Sequence, residues 1–121
     1  MNNQNIGKNG EEIASNFLKE KGFEIIETNF HKLEGEIDII AFDKKQKEYV
    51  FVEVKTRNNY KFGYPEEAVT MNKVKKIIKT GHCWLEKEKK QESYWRIDVI
   101  AINLENNKTE IKHFKNITEG F

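Results

Sequence analysis

The stretch Glu36-Ile37-Asp38-Ile39-Ile40-Ala41-Phe42-Asp43-Lys44-Lys45-Gln46-Lys47-Glu48-Tyr49-Val50-Phe51-Val52-Glu53-Val54-Lys55-Thr56-Arg57 decides how the chain is read. Two apolar runs of strand length flank a polar segment, so residues 36–43 and 48–57 read as two strands of a hairpin. Side chains alternate along a strand, which puts Val50, Val52 and Val54 on one face and Glu53 and Lys55 on the other. Asp38 brings a further charge into the first strand. A buried ion is costly unless it is paired or bound to a metal, so acids and a lysine inside apolar strands point to metal-dependent chemistry.

A symmetric loop centred between Lys45 and Gln46 pairs Asp43 with Glu48, Ile40 with Phe51 and Asp38 with Glu53, and sets Glu36 opposite Lys55. Directly opposed residues of an antiparallel pair have Cβ atoms about 4.5–5.5 Å apart. Two carboxylates at that spacing repel each other unless they share a cation. A bulge or an asymmetric loop would change this register.

Working outward, Ile13, Ala14, Phe17 and Leu18 recur at helical spacing within residues 10–21, and Gly22 supplies a C-terminal stop. Residues 23–30 read as a strand, followed by a polar turn over 31–35. After the hairpin, the loop 58–65 holds the only Pro and leads to a short turn at 66–69. Thr70 is the expected N-cap of a long helix whose inward stripe is Val74, Ile77, Ile78, Gly81 and Leu85. A fourth strand is expected over 94–102 and a weaker fifth over 109–114. The order α-β-β-β-α-β-β implies an α/β fold, a mixed β-sheet flanked by helices.

With 121 residues the chain is expected to form a single domain over residues 1–121. Charged residues make up 34% and hydrophobic ones 37%, but eight Phe and two Trp, well patterned, argue for a packed core and against disorder. A net charge of +1 gives no global attraction to polyanions, so nucleic-acid binding must come from local patches. The lone Cys83 excludes an internal disulfide, and the polar start Met1-Asn2-Asn3-Gln4-Asn5 lacks the apolar run of a signal peptide; a cytoplasmic location is expected. No run approaches the ~18 apolar residues of a membrane span, so no membrane partner is expected. His31, His82 and His113 have no mutual ligand spacing and Cys83 has no partner, so zinc is poorly supported.

The chain resembles the YraN-like family of bacterial proteins, placed in the PD-(D/E)xK restriction-endonuclease-like superfamily. The resemblance covers nearly the whole chain. It rests on Gly10-Glu11 with Ala14, Gly35-Glu36-Ile37-Asp38, Phe51-Val52-Glu53-Val54-Lys55-Thr56-Arg57, Gly63 with Pro65, Ala68-Val69, Lys73, and Arg96 with Asp98. It implies a restriction-endonuclease-like sheet between helices, with Holliday-junction resolvases among its structural relatives. It also implies Mg²⁺-dependent phosphodiester hydrolysis, with Asp38 and Glu53 as metal ligands and Lys55 beside the attacking water. The superfamily signature often has Pro before the first acid, where this chain has Ile37.

Phosphodiester hydrolysis needs a nucleophilic water and neutralisation of charge on the phosphoryl oxygens, which Mg²⁺ or Mn²⁺ can supply. Asp38, Glu53 and the backbone carbonyl of Val54 would be a sufficient protein share of the ligands. Lys55 could orient or deprotonate the water. Glu11 shares a helix face with Ala14 and Leu18 and reads equally as a third acid or as an acid favoured by the helix dipole. An ordinary salt-bridge cluster on a wet sheet face is the competing reading of Asp38, Glu53 and Lys55, and the apolar flanks speak against it. Arg96 and Asp98, two apart on a strand, are expected to pair structurally.

Residues 71–90 hold seven lysines against Glu86 and Glu88, the clearest phosphate-facing patch, with Lys73 nearest the sheet and Lys76 on the same helix. Arg57, Tyr60 and Lys61 begin a loop in which basic and aromatic side chains interleave, as a nucleic-acid surface would require. The expected partner is nucleic acid, DNA before RNA, and cutting two strands with one small domain would benefit from a homodimer. The alternative is a catalytically inactive nucleic-acid-binding or partner-binding module on the same fold.

Overall fold

The computed structural model describes residues 3–33, 35–58 and 69–118. Along the chain lie α1 (Asn3–Glu20), β1 (Phe23–Lys32), β2 (Gly35–Asp43), β3 (Glu48–Arg57), α2 (Met71–Lys87), β4 (Trp95–Glu105) and β5 (Lys108–Phe114). The five strands form one sheet in the order β1-β2-β3-β4-β5. All neighbours are antiparallel except β3 and β4, which run parallel and are joined through the crossover helix α2. This is the mixed sheet flanked by helices that the element order implied.

Among the described residues, each face of the sheet buries one helix. Ala14 and Leu18 of α1 pack on Ile39, Ala41, Val50, Val52, Ile100 and Ile102. On the other face, Val74, Ile77, Trp84 and Leu85 of α2 pack on Ile40, Phe51 and Ile97. β3 is thus covered on both sides, and its alternation sends the valines toward α1 and Phe51 toward α2.

Both helices end where local chemistry dictates. Gly22 adopts φ +91 after α1, a conformation glycine takes without a Cβ penalty. At the start of α2, the Lys73 N–H donates to Thr70 Oγ1 (3.2 Å), the expected N-cap. Helix α1 starts at Asn3, ahead of the expected 10–21; Ile6 is the one apolar residue in its first seven positions, so periodicity had nothing to read there. In α2 the buried stripe includes Thr80 and Trp84, while Ile78 is only half-buried. The Thr80 hydroxyl donates to the Lys76 carbonyl (2.8 Å), which is how a polar residue occupies a core position. Residues 59–68, including Tyr60, Lys61 and the turn expected at 66–69, lie largely outside the described residues; only Val69 of that turn is described.

At one end of the sheet a buried guanidinium gathers the hairpin and the last strands. Arg96 bonds Asp98 through Nε (2.9 Å), Asp43 through Nη1 (2.9 Å) and Glu48, also through Nη1. Asp98 also receives the Asn116 N–H (2.9 Å) and lies 2.7 Å from His113 Nε2. Asp43 in turn accepts the Lys45 and Gln46 N–H groups, so one carboxylate shapes the hairpin turn and anchors Arg96. The expected Arg96–Asp98 pair is therefore part of a wider network. Burial alone would raise the Asp98 carboxyl, but its bonds to His113, Arg96 and the Asn116 N–H outweigh this and hold it below the usual carboxylate range.

Replacing Arg96 with Met leaves Asp98 and Asp43 buried without their cation, and should cost roughly 3–5 kcal/mol at pH 7 in urea unfolding. A lowered carboxyl stabilises the fold above its unfolded value and loses that contribution as pH falls through the folded one. The gap between wild type and Arg96→Met should therefore narrow below about pH 4, the ordinary carboxylate range.

Candidate metal and phosphodiester site

At the other end, β2 and β3 part. Their ladder runs from Asp43↔Glu48 to Ile39↔Val52, in the register a symmetric loop predicts, and its paired residues stop there. Asp38 does not continue as a paired residue opposite Glu53; its Oδ2 accepts the Val54 N–H (2.8 Å). A side chain thereby takes a backbone donor next to the end of the ladder. Glu36 likewise does not pair with Lys55, and its carboxylate lies 3.3 Å from His31 Nδ1.

The face pattern breaks at the same level. Ile39 belongs to the α1-side core, whereas Ile37, two residues earlier, belongs to the α2-side core with Phe30. In β1, a register shift between Ile25 and Glu27 is followed by Asn29 at φ +54, in the left-handed region. Asn29 lies between the pairs Thr28↔Ile39 and Phe30↔Ile37, at the level of Asp38. Its Nδ2 donates to Glu11 Oε2 (3.0 Å), so an irregular strand carries a contact to the acid of α1.

Glu53 points to the α2 side, as alternation requires, and its side chain is 4% exposed. One oxygen, Oε1, lies 3.4 Å from Lys55 Nζ and 3.4 Å from Lys73 Nζ. The other, Oε2, is buried with no hydrogen-bond partner among the described residues. A buried carboxylate oxygen left unpaired is costly, and a cation would relieve it.

Asp38 shows the same need for positive charge. Burial, then the Glu53 carboxylate, push its carboxyl up to about 7; the Val54 N–H opposes them, and Glu11 and Glu36 add to the rise. Glu11 is half-buried and close enough to act on Asp38, while Glu12 is exposed. Among the described residues, no three Asp, Glu, His or Cys side chains form a ready ligand set. The donors present still suit a hard divalent cation: two desolvated carboxylates, one with an orphaned oxygen, and a third acid near them.

Of the residues read as nucleic-acid contacts, Lys73 joins Glu53 directly. Arg57 is exposed at the end of β3, and Lys76 is exposed on α2 with its Cβ beside Gly35. Tyr60 and Lys61 lie outside the described residues. Sequence reasoning missed Asn29 and also Asn103, which is buried on β4 across from Arg57 with no partner for Oδ1 among the described residues. The signal for Asn103 was its place in Ile100-Ala101-Ile102-Asn103, a polar residue continuing the apolar strand.

Comparison with known proteins settles the kinship. The family described as "Uncharacterised protein family UPF0102" matches residues 10–102, a span that holds Glu11, Asp38, Glu53, Lys55 and Lys73. The chain belongs to the UPF0102 family. A UPF0102 protein of Caldicellulosiruptor saccharolyticus is 42% identical over 118 residues, covering 96% of this chain and 98% of its own. One from Pelobacter propionicus is 43% identical over 118 residues, covering 97% and 84%. Another, from Clostridioides difficile, is 46% identical over 104 residues, covering 86% and 90%. Among the described residues of this UPF0102 chain, no helix is long and apolar enough to cross a membrane.

A carboxyl raised on folding binds protons that the unfolded chain releases, so the Asp38 contribution to metal-free stability should fall as pH rises from about 4 to about 7. Asp38→Asn keeps an acceptor for the Val54 N–H and removes the charge. In thermal or urea unfolding with EDTA, the variant should match wild type near pH 4 and exceed it at pH 8 by an amount on the order of a few kcal/mol. Equal pH slopes for the two proteins would contradict the Asp38 environment described above.

Proposed function

We propose that this UPF0102 chain is a metal-dependent nuclease that hydrolyses phosphodiester bonds in DNA, with branched or damaged DNA in repair or recombination as its substrate class. The observation that carries this reading is the pair Asp38 and Glu53 beside the end of the β2–β3 ladder, with one orphaned carboxylate oxygen and an ammonium alongside. The resemblance of Gly35-Glu36-Ile37-Asp38 and Glu53-Val54-Lys55 to the PD-(D/E)xK pattern supports it further.

Asp38, Glu53 and the Val54 carbonyl would hold Mg²⁺ or Mn²⁺, which supplies charge neutralisation at the phosphoryl oxygens and a more acidic water. Lys55, half-buried with its ammonium 3.4 Å from Glu53, orients the water and stabilises the developing anionic charge. Glu11, linked to Asn29, lends further negative charge to Asp38. The exposed Arg57 and the lysines of α2 contact the phosphate backbone and leave base identity unread, so selectivity for nucleic-acid structure over sequence follows.

Two measurements test the reading. Purified protein with Mg²⁺ or Mn²⁺ should cut at least one of single-stranded, duplex, flapped or four-way DNA, with RNA alongside, and Glu53→Ala should reduce cutting by about 10²-fold or more. Calorimetry should show Mn²⁺ binding that disappears in Asp38→Ala/Glu53→Ala. Mn²⁺ binding unchanged in that double variant would remove the site, and salt-dependent DNA binding without cleavage would leave a nucleic-acid-binding module on this fold.

A further inference from the structure

Lys73 occupies an electrostatically awkward position. It is the third residue of α2, and the first turn of that helix carries no acid to balance the positive end of its dipole. Its backbone N–H is committed to Thr70 Oγ1, and its ammonium reaches down to Glu53 Oε1 at 3.4 Å. Lys55 approaches the same oxygen at the same distance, so two ammonium groups crowd one carboxylate oxygen while Oε2 has no described partner. Both separations exceed the ~2.7–2.9 Å of a charge-assisted hydrogen bond. Lys73 also keeps its side chain 35% exposed, against 25% for Lys55 and 4% for Glu53, so it is the one of the three best able to swing into solvent.

We infer that Lys73 is a switched phosphate ligand: Glu53 holds it while no divalent cation neutralises that carboxylate, and releases it to a nucleic-acid phosphate once one does. The inference rests on the nuclease reading for its substrate and adds an order of events. Lys55 stays on the acid face because it is fixed by the strand two residues from Glu53, whereas Lys73 belongs to another element and is bound to the sheet end by this contact. Once freed, its ammonium stands near the N-terminus of α2, where the helix dipole favours an anion. Divalent cation and nucleic acid would therefore bind with positive coupling, without any rearrangement of the fold.

The test separates this step from catalysis, because it reads binding and not cleavage. Glu53→Gln removes the charge that retains Lys73. By fluorescence anisotropy in EDTA, Glu53→Gln should bind duplex DNA roughly tenfold more tightly than wild type, with the slope of log affinity against log salt steeper by ~0.9, one phosphate contact. Adding Lys73→Ala should erase both gains, whereas adding Lys76→Ala should weaken binding without abolishing them. An independent arm uses intact Glu53: Ca²⁺ should tighten DNA binding by wild type several-fold and by Lys73→Ala hardly at all. An RNA duplex of the same sequence run in parallel assigns the phosphate to DNA if its gain is smaller. No gain in Glu53→Gln on either polymer, a gain that survives Lys73→Ala, or a Ca²⁺ response unchanged by Lys73→Ala overturns the switch. Failure to cleave any substrate would instead remove the nuclease reading and leave these binding outcomes intact.

Discussion

The bond from the Val54 N–H to Asp38 Oδ2 is the constraint on which the functional end of the molecule depends. A ladder continued by backbone pairing would hold β2 and β3 at fixed spacing and send Asp38 and Glu53 to opposed positions on a closed ribbon. Substituting a carboxylate for a backbone acceptor ends the ladder at Ile39↔Val52 and binds the acid to β3. The change of face between Ile39 and Ile37, and the left-handed Asn29 at the same level of β1, belong to this irregular zone. Glu11 on α1 and Lys73 on α2 then reach the zone from opposite faces of the sheet.

The two ends of the sheet treat buried charge in opposite ways. Around Arg96, Asp98 and Asp43 are matched by a guanidinium, backbone N–H groups and His113, and both carboxyls sit below their usual range. Around Asp38 and Glu53, the described residues leave Glu53 Oε2 without a hydrogen-bond partner, and Asp38 rises to about 7. Burial acts on Asp98 and Asp38 alike; hydrogen bonds and the Arg96 charge lower the first, whereas the Glu53 charge adds to the rise of the second and one backbone N–H opposes it. A satisfied network specifies structure, and an unsatisfied one retains affinity for something else, which is why the second end attracts a functional reading.

Much of this was legible from residues alone. Alternation placed Glu53 and Lys55 on one face, loop symmetry gave the pairs from Ile40↔Phe51 to Asp43↔Glu48, and Gly22 and Thr70 marked helix ends. These are local rules with short reach. The turn taken by Asp38 was not legible, because a side chain competing for a backbone donor leaves no periodic trace. Asn29 was missed for a similar reason: in Glu27-Thr28-Asn29 a left-handed residue shows only as one more polar residue of the strand. Trp84 and Thr80 as core residues of α2 depended on where the helix crosses the sheet, and the contact of Lys73 with Glu53 joins residues twenty apart in sequence. The full Arg96 network needed β2, β3, β4, β5 and the segment after β5 in one place.

The outer strands have a consequence for how copies of this chain can meet. β1 carries a register shift and a left-handed residue, and β5 is studded with Lys108, Glu110 and Lys112 on a largely exposed ribbon. Neither border offers the long, flat, uncharged row of amides that recruits a further strand. Self-association by sheet extension is thus discouraged at both margins, and protection against fibrillar stacking is written into the same irregularity that shapes the acidic end.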